Sequence, residues 1–193
     1  MVELEVSDIR LRLCFSFFAV IALAAVLNDS RCVIISLFAC FLHETGHIAA
    51  MTARKVKPLA VTLYGGGIKI TPHTNRMLSF KDEIIIYAAG PIVNLVVFLV
   101  LLIIDRGTSD FASVNLFLFV LNILPARYLD GGQIFSILRL NCTEQSIIAR
   151  INVVQRIIIG VAIFTAGYLM LCVSFSISLA VTLFYLIFCE FML

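Results

Sequence analysis

The sequence predicts an all-α polytopic membrane protein of about six transmembrane helices, with a small β-hairpin between helices 2 and 3 and a broken fourth helix. Three observations predict it. Of the 193 residues, 62% are hydrophobic and 13% charged, against about 45–50% and about 25% in an ordinary soluble domain. The mean hydropathy is +1.09, and too few charges remain to cover the surface of a soluble core. The apolar residues also fall in runs approaching the roughly 20 residues that a spanning helix needs. A single integral membrane domain over residues 1–193, with no soluble regulatory domain, is the expectation.

The elements follow in order. The N-terminus, Met-Val-Glu-Leu-Glu, carries acids before the first apolar run and is unlike a cleavable signal peptide. The first span is expected over about residues 13–27 and the second over 32–53. Residues 56–72 read V-K-P-L-A-V-T-L-Y-G-G-G-I-K-I-T-P, where short β-rich runs flank Gly65, Gly66 and Gly67 and suggest a hairpin. The third span covers about 83–104. The fourth begins near 111 and reads helical to 124, where Pro125 stops it. Asp130-Gly131-Gly132 then makes a turn before a short run at 134–140. Backbone freed within a bilayer is tolerated only where it lines a cavity or packs on protein, so this break points to a polar site. The fifth and sixth spans are expected over about 153–174 and 176–191.

Charge placement orients these spans. Arg10 and Arg12 precede the first. Arg54, Lys55, Lys57, Lys69, Arg76 and Lys81 lie between the second and third, and Arg127, Arg139 and Arg150 between the fourth and fifth. The opposite loops hold only Arg31 and Arg106. The positive-inside rule then puts both termini in the cytoplasm. It also puts residues 43–47 in the cytoplasmic half of the second span and brings Asp130 to the same side. No basic stripe with interleaved aromatics marks a nucleic-acid partner. The six cysteines form no C-x-x-C pair, which argues against a disulfide scaffold or thiolate metal site and for small buried hydrophobes.

Two of the three histidines fall in His43-Glu44-Thr45-Gly46-His47. Residues four apart share a helix face, so both imidazoles can meet one ion. Glu44, beside the first ligand, can reach water without binding the metal. This is the mechanics of H-E-x-x-H, two ligands and a general base. The motif ends an apolar run at 33–42, where ionisable groups are costly and usually functional. The competing reading is a buried polar network that ties helices together.

A catalytic zinc takes three protein ligands and keeps one position open. His73 sits in a polar loop and reads as solvated. Among carboxylates near apolar runs, Asp105 and Asp110 fall on the wrong side. Asp82 and Glu83 suit the acidic start of a helix, and Glu190 has no break around it. Asp130 has the right side, a broken helix, and glycines that allow close approach, so it is the favoured third ligand. Its other reading is an N-cap for residues 131–140.

These residues, together with Asn122-Ile123-Leu124-Pro125 and Leu129-Asp130-Gly131-Gly132, resemble the site-2 protease family of intramembrane metalloproteases. Ala89-Gly90-Pro91 with Asn94 matches another family signature, and the glycine-rich stretch at 64–70 also fits. The resemblance covers about residues 41–137. The short six-span layout is most similar to the sporulation stage IV branch, which processes a sigma-factor precursor. No CBS domain is recognised. Tyr128 stands where many relatives have proline, and Gln133 where many have a basic residue.

The resemblance implies one zinc ion per chain held by His43, His47 and Asp130, with Glu44 as general base. Asn122 would lie near the metal, by the scissile carbonyl or its oxyanion; its other role would be to satisfy backbone groups freed at the helix break. Gly90, Pro91 and Asn94 read as structural, for a kink and close helix approach. The hairpin would offer an edge strand to an unwound substrate, or be a plain turn at the membrane surface. The implied partners are a membrane-tethered protein substrate, the lipid bilayer and a regulatory membrane protein. The function classes that compete are a transporter or ion pathway and a non-catalytic metal-binding scaffold. No inverted repeat is visible to support the first, and an intact Glu44 opposes the second.

Overall fold

The chain opens on two runs of strict alternation, Val2-Glu3-Leu4-Glu5-Val6 and Ile9-Arg10-Leu11-Arg12-Leu13, a period of two that suits strands. In the computed structural model they are strands β1 (Val2–Val6) and β2 (Ile9–Leu13), paired antiparallel with Glu3 opposite Arg12 and Glu5 opposite Arg10. Arg12 Nε donates to Glu3 Oε1 at 3.0 Å. Both side chains are exposed, so this pair contributes little beyond register. The structure describes residues 2–6, 9–15, 22, 30–56, 58–64, 67–72, 78–104, 109–127, 129–172 and 184. The expected spans at 13–27 and 176–191 lie outside these apart from isolated positions, as do His73, Asp105, Tyr128 and Glu190.

Two further strands, β3 (Pro58–Tyr64) and β4 (Gly67–Pro72), pair antiparallel, with Tyr64 opposite Gly67. β2 lies parallel to β3, giving one four-stranded sheet in the order β1-β2-β3-β4. The expectation of an all-α chain with one small hairpin is corrected here. The N-terminal alternation builds a second hairpin, and its unpaired backbone groups are satisfied along β3.

By packing, the chain divides into two units, Met1–Phe119 and Val120–Leu193. The first holds the sheet and helices α1 (Ser30–Ala53) and α2 (Phe80–Ile104), with most of α3 (Asp110–Ile123). At about 1.5 Å rise per residue, helices the length of α1 and α2 reach about 36 Å, enough for a hydrocarbon core of about 30 Å. The start of α2 is set by Ser79, whose Oγ accepts the Asp82 N–H at 3.2 Å and donates to Asp82 Oδ2 at 2.7 Å. Asp82 and Glu83 occupy the first turn, where the helix dipole favours them. Arg54 Nη1 meets Asp82 Oδ1 at 3.1 Å and ties the end of α1 to the start of α2. Midway along, Gly46 lets the two backbones approach. A Cβ there would lie 2.7 Å from the Ala89 carbonyl oxygen and 2.8 Å from Val93 Cγ2.

The second unit contains α4 (Asp130–Leu140) and α5 (Gln145–Cys172). α3 stops at Ile123, the Leu124 N–H turns back to Leu121 O at 3.1 Å, and Pro125 follows. Helix resumes only at Asp130, so the fourth helical segment is broken where Pro125 prevents its continuation. Among the described residues three helices are long and apolar enough to cross a membrane: Arg31–Ala53, Phe80–Ile104 and Gln145–Tyr168. α3, at 14 residues, is shorter.

The distribution of side chains is that of a protein in lipid. Large apolar groups such as Phe41, Ile103, Ile157 and Phe164 are exposed. The buried positions include small residues such as Ala39 and Ala112 and the polar His43, His47, Asn94 and Asn115. Lipid solvates the former as well as a core would, and only the latter must find partners inside. The same logic leaves Cys14, Cys40 and Cys142 half-buried and Cys32 exposed, where burial was expected.

Candidate metal centre

His43 and His47 sit one turn apart on α1, both buried, with Glu44 half-buried between them in sequence. The His43 Nδ1 lies 2.6 Å from Asn94 Oδ1 on α2. The His47 Nδ1 lies 2.7 Å from the Ile86 carbonyl oxygen, also on α2. Both partners are acceptors, so each ring carries its proton on Nδ1 and leaves Nε2 as a ligand atom.

Asn94 is itself held. Its Nδ2 donates to Asn115 Oδ1 at 2.9 Å and to Ala39 O at 3.4 Å, and Asn115 Nδ2 donates to Phe111 O at 2.8 Å. Both asparagines are 0% exposed. The direction of every donor in this chain is therefore set, from the α3 backbone to the His43 ring. The sequence assigned Asn94 a structural role only and did not single out Asn115. Each is an amide inside an apolar run, and that was the signal available.

The two Nε2 atoms converge to 3.1 Å. Each ring turns its Nδ1 to an acceptor on α2, so the two Nε2 atoms at this range present a pair of imidazole ligands to one point. Tetrahedral zinc with bonds of about 2.0–2.1 Å separates two nitrogens by about 3.3 Å, close to what is seen. Space is kept for it by Gly90, where a Cβ would collide with His47 Nε2 and lie 2.7 Å from His43 Nε2. Gly90 and Pro91 are both buried in the middle of α2. The donor set and the cradle both fit a metal ion, and imidazole ligands suit zinc.

Asn122 and Asp130 belong to the second unit. Asn122 is half-buried, one residue before the end of α3. Asp130 is half-buried and is the first residue inside α4. The cap position is Leu129, whose carbonyl accepts the Gln133 N–H at 3.0 Å. Asp130 is therefore not the N-cap of α4, as its other reading had it. Gly131 and Gly132 are packed on the break itself. A Cβ on Gly131 would collide with the Ile123 carbonyl oxygen, and one on Gly132 with that of Ala126. The first turn of α4 and the break at 124–129 therefore form one tight unit.

Residues 17–143 match the peptidase M50B-like family. The chain belongs to this family. The site-2 protease resemblance carried by His43-Glu44-Thr45-Gly46-His47 and the Asp130 motif is thereby upheld. The chain is 26% identical over 126 residues to stage IV sporulation protein FB of Bacillus subtilis (strain 168), covering 61% of this chain and 43% of that protein. It thus spans less than half the length of that relative. Its fold is similar to the solved structure of the site-2 protease from Methanocaldococcus jannaschii, with a TM-score of 0.61 over 98% of this chain and 93% of that one, at 23% identity. Family, fold and three span-length apolar helices together make this M50B-like peptidase an integral membrane protein.

Proposed function

We propose that the chain is an intramembrane zinc metalloprotease that hydrolyses a peptide bond of a membrane-associated protein within or next to the bilayer. The observation that carries this reading is the meeting of the His43 and His47 Nε2 atoms, with both Nδ1 atoms committed to acceptors on α2. His43, His47 and Asp130 would hold one zinc per chain. When bound, zinc supplies Lewis acidity, bringing the pKa of water to about 7 and polarising a carbonyl.

The protein's own residues do the rest. Asn94 and the Ile86 carbonyl keep both rings in the tautomer that leaves Nε2 to the metal. Glu44 takes a proton from the attacking water and passes it to the leaving amine. Asn122 donates a side-chain N–H to the developing oxyanion. The burial of the two histidines limits competing water and strengthens each of these interactions.

The layout we favour is a single metalloprotease domain of six spans. Both termini and the site lie on the cytoplasmic side, by the distribution of lysine and arginine. A membrane-tethered regulatory precursor of the sigma-factor type is the substrate class that fits the sporulation relative. A membrane protein acting as regulator fits the same setting.

The test is co-expression with a candidate membrane-tethered substrate, with Glu44→Gln as control. Cleavage should fall by about 10²–10⁴-fold while zinc is retained. Undiminished cleavage by that variant would sink the mechanism. Asp130→Asn should lower bound zinc, measured by metal analysis of the purified protein; an unchanged zinc content would put the third ligand elsewhere.

A further inference from the structure

The break between α3 and α4 leaves backbone carbonyls that no helix satisfies, and each must find a donor. Three of them do so within the second unit. Ala126 O accepts the Leu129 N–H at 2.9 Å. Arg127 O accepts Gln133 Nε2 at 2.8 Å. Pro125 O accepts Gln155 Nε2 at 2.8 Å, and Gln155 lies on α5, 30 residues further along the chain. α5 carries Arg150, Asn152 and Arg156 near Gln155, with Val153, Ile157, Val161 and Phe164 exposed. A glutamine amide on a span-length helix needs a partner for its oxygen and for its nitrogen.

The orientation of that amide is not left to chance. Gln155 Oε1 accepts Arg139 Nη1 at 2.9 Å. The same nitrogen donates to Asn152 Oδ1 at 3.1 Å, and Nη2 donates to Ser136 Oγ at 2.9 Å. A guanidinium only donates and a carbonyl oxygen only accepts, so one orientation alone serves both neighbours of Gln155. Arg139 thereby turns the Gln155 N–H toward Pro125. Gly131 and Gly132 seat the first turn of α4 directly on the carbonyl oxygens of Ile123, Leu124 and Ala126. Pro125 lies between the carbonyls on which that turn rests, and Asp130 is the residue that begins the turn.

We propose that Gln155 and Arg139 are positioning residues that fix the Asp130 carboxylate by holding the Pro125 carbonyl. This rests on the reading of Asp130 as a zinc ligand. They act on the metal only through the break, not by contact with it. A group bonded directly to a ligand alters metal affinity by about 10–100-fold, and groups acting through the break belong at the lower end of that range.

Gln155→Glu separates this role from simple bracing of α4 against α5. The carboxylate still accepts from Arg139, so the tie between the two helices survives. It offers no donor to Pro125 O. The full-length protein, purified in detergent, is titrated with zinc against a graded chelator, and the zinc-free form is melted in parallel. The expected result for Gln155→Glu is zinc affinity weakened by about tenfold or more, with the zinc-free melting temperature lowered only by the few degrees that one lost donor to the buried Pro125 carbonyl brings. Unchanged zinc affinity, in a preparation where Asp130→Asn has lost zinc, would overturn the proposal and leave the ligand assignment standing. If Asp130→Asn keeps full zinc affinity, the ligand assignment and this proposal fall together. Should the Gln155→Glu protein melt early, Gln155→Met gives the second measurement. It keeps the length and suits a lipid-facing helix, and it removes the Pro125 bond. Wild-type zinc affinity in that protein also overturns the proposal.

Discussion

At the scale of single residues, the site is governed by which atom of each imidazole carries a proton. His43 depends on Asn94, and Asn94 depends on Asn115. Removing the middle member should therefore reach the metal without touching it. Asn94→Ala should weaken zinc binding by about 10–100-fold and cost about 1–3 kcal/mol of stability, because the Asn115 carbonyl is left buried without its donor. A chelator titration and a melting curve read the two effects separately. Gly90 tests the cradle from the other side. Gly90→Ala puts a methyl group against both Nε2 atoms, where the nearest His43 contact would be 2.7 Å. Zinc content should fall to background, with about 1–3 kcal/mol of overpacking strain. A Gly90→Ala protein that binds zinc at full occupancy would show that the rings meet elsewhere.

Elements are delimited by local chemistry at their ends. α1 ends in a backbone motif in which the Val56 N–H returns to Met51 O at 2.9 Å and the Lys55 N–H to Thr52 O at 3.0 Å. Lys55 takes a left-handed conformation there, with φ at 57°, a position that glycine fills more cheaply. Lys55→Gly should raise stability by about 0.5–1 kcal/mol, read as a small increase in melting temperature with activity unchanged. At the start of α2, Ser79→Ala removes the cap on the Asp82 N–H and should cost about 1 kcal/mol. At the break between α3 and α4 such local rules leave carbonyls over, and side chains from α4 and α5 take them up.

The whole molecule reverses the solvation of a soluble protein. Ile157, near the centre of α5, is 59% exposed. On a soluble surface Ile157→Lys would be nearly neutral. In a bilayer it should cost about 2.5–3.5 kcal/mol of insertion free energy, measurable with a reporter of membrane integration. Insertion at wild-type efficiency would argue that this face of α5 meets protein or water. The stabilising effect of zinc also belongs to this scale. Only the folded chain brings the two Nε2 atoms to 3.1 Å, so zinc should stabilise it by about 2.7 kcal/mol at 100 times its dissociation constant. Chelation should lower the melting temperature accordingly, and re-addition of zinc should restore it.

The sequence by itself determined much of this. Its composition and apolar runs required lipid, because too few charges were present for water. Spacing of four placed His43 and His47 on one face, since that is the period of a helix. Pro125 required a break, because it has no N–H to continue one. The alternation of Glu3, Glu5, Arg10 and Arg12 has the period of a strand, but its length is too short to outweigh the apolar runs around it. What only the tertiary structure decided was direction. No pattern in the chain says that Asn94 presents its oxygen to His43, or that Asn115 holds it so. None says that the Ile86 carbonyl sets His47, or that Arg139 turns Gln155 toward Pro125. Periodicity assigns a residue to a face. Hydrogen-bond polarity depends on which atoms arrive from residues 16 to 51 positions away, and only the packed chain brings them together.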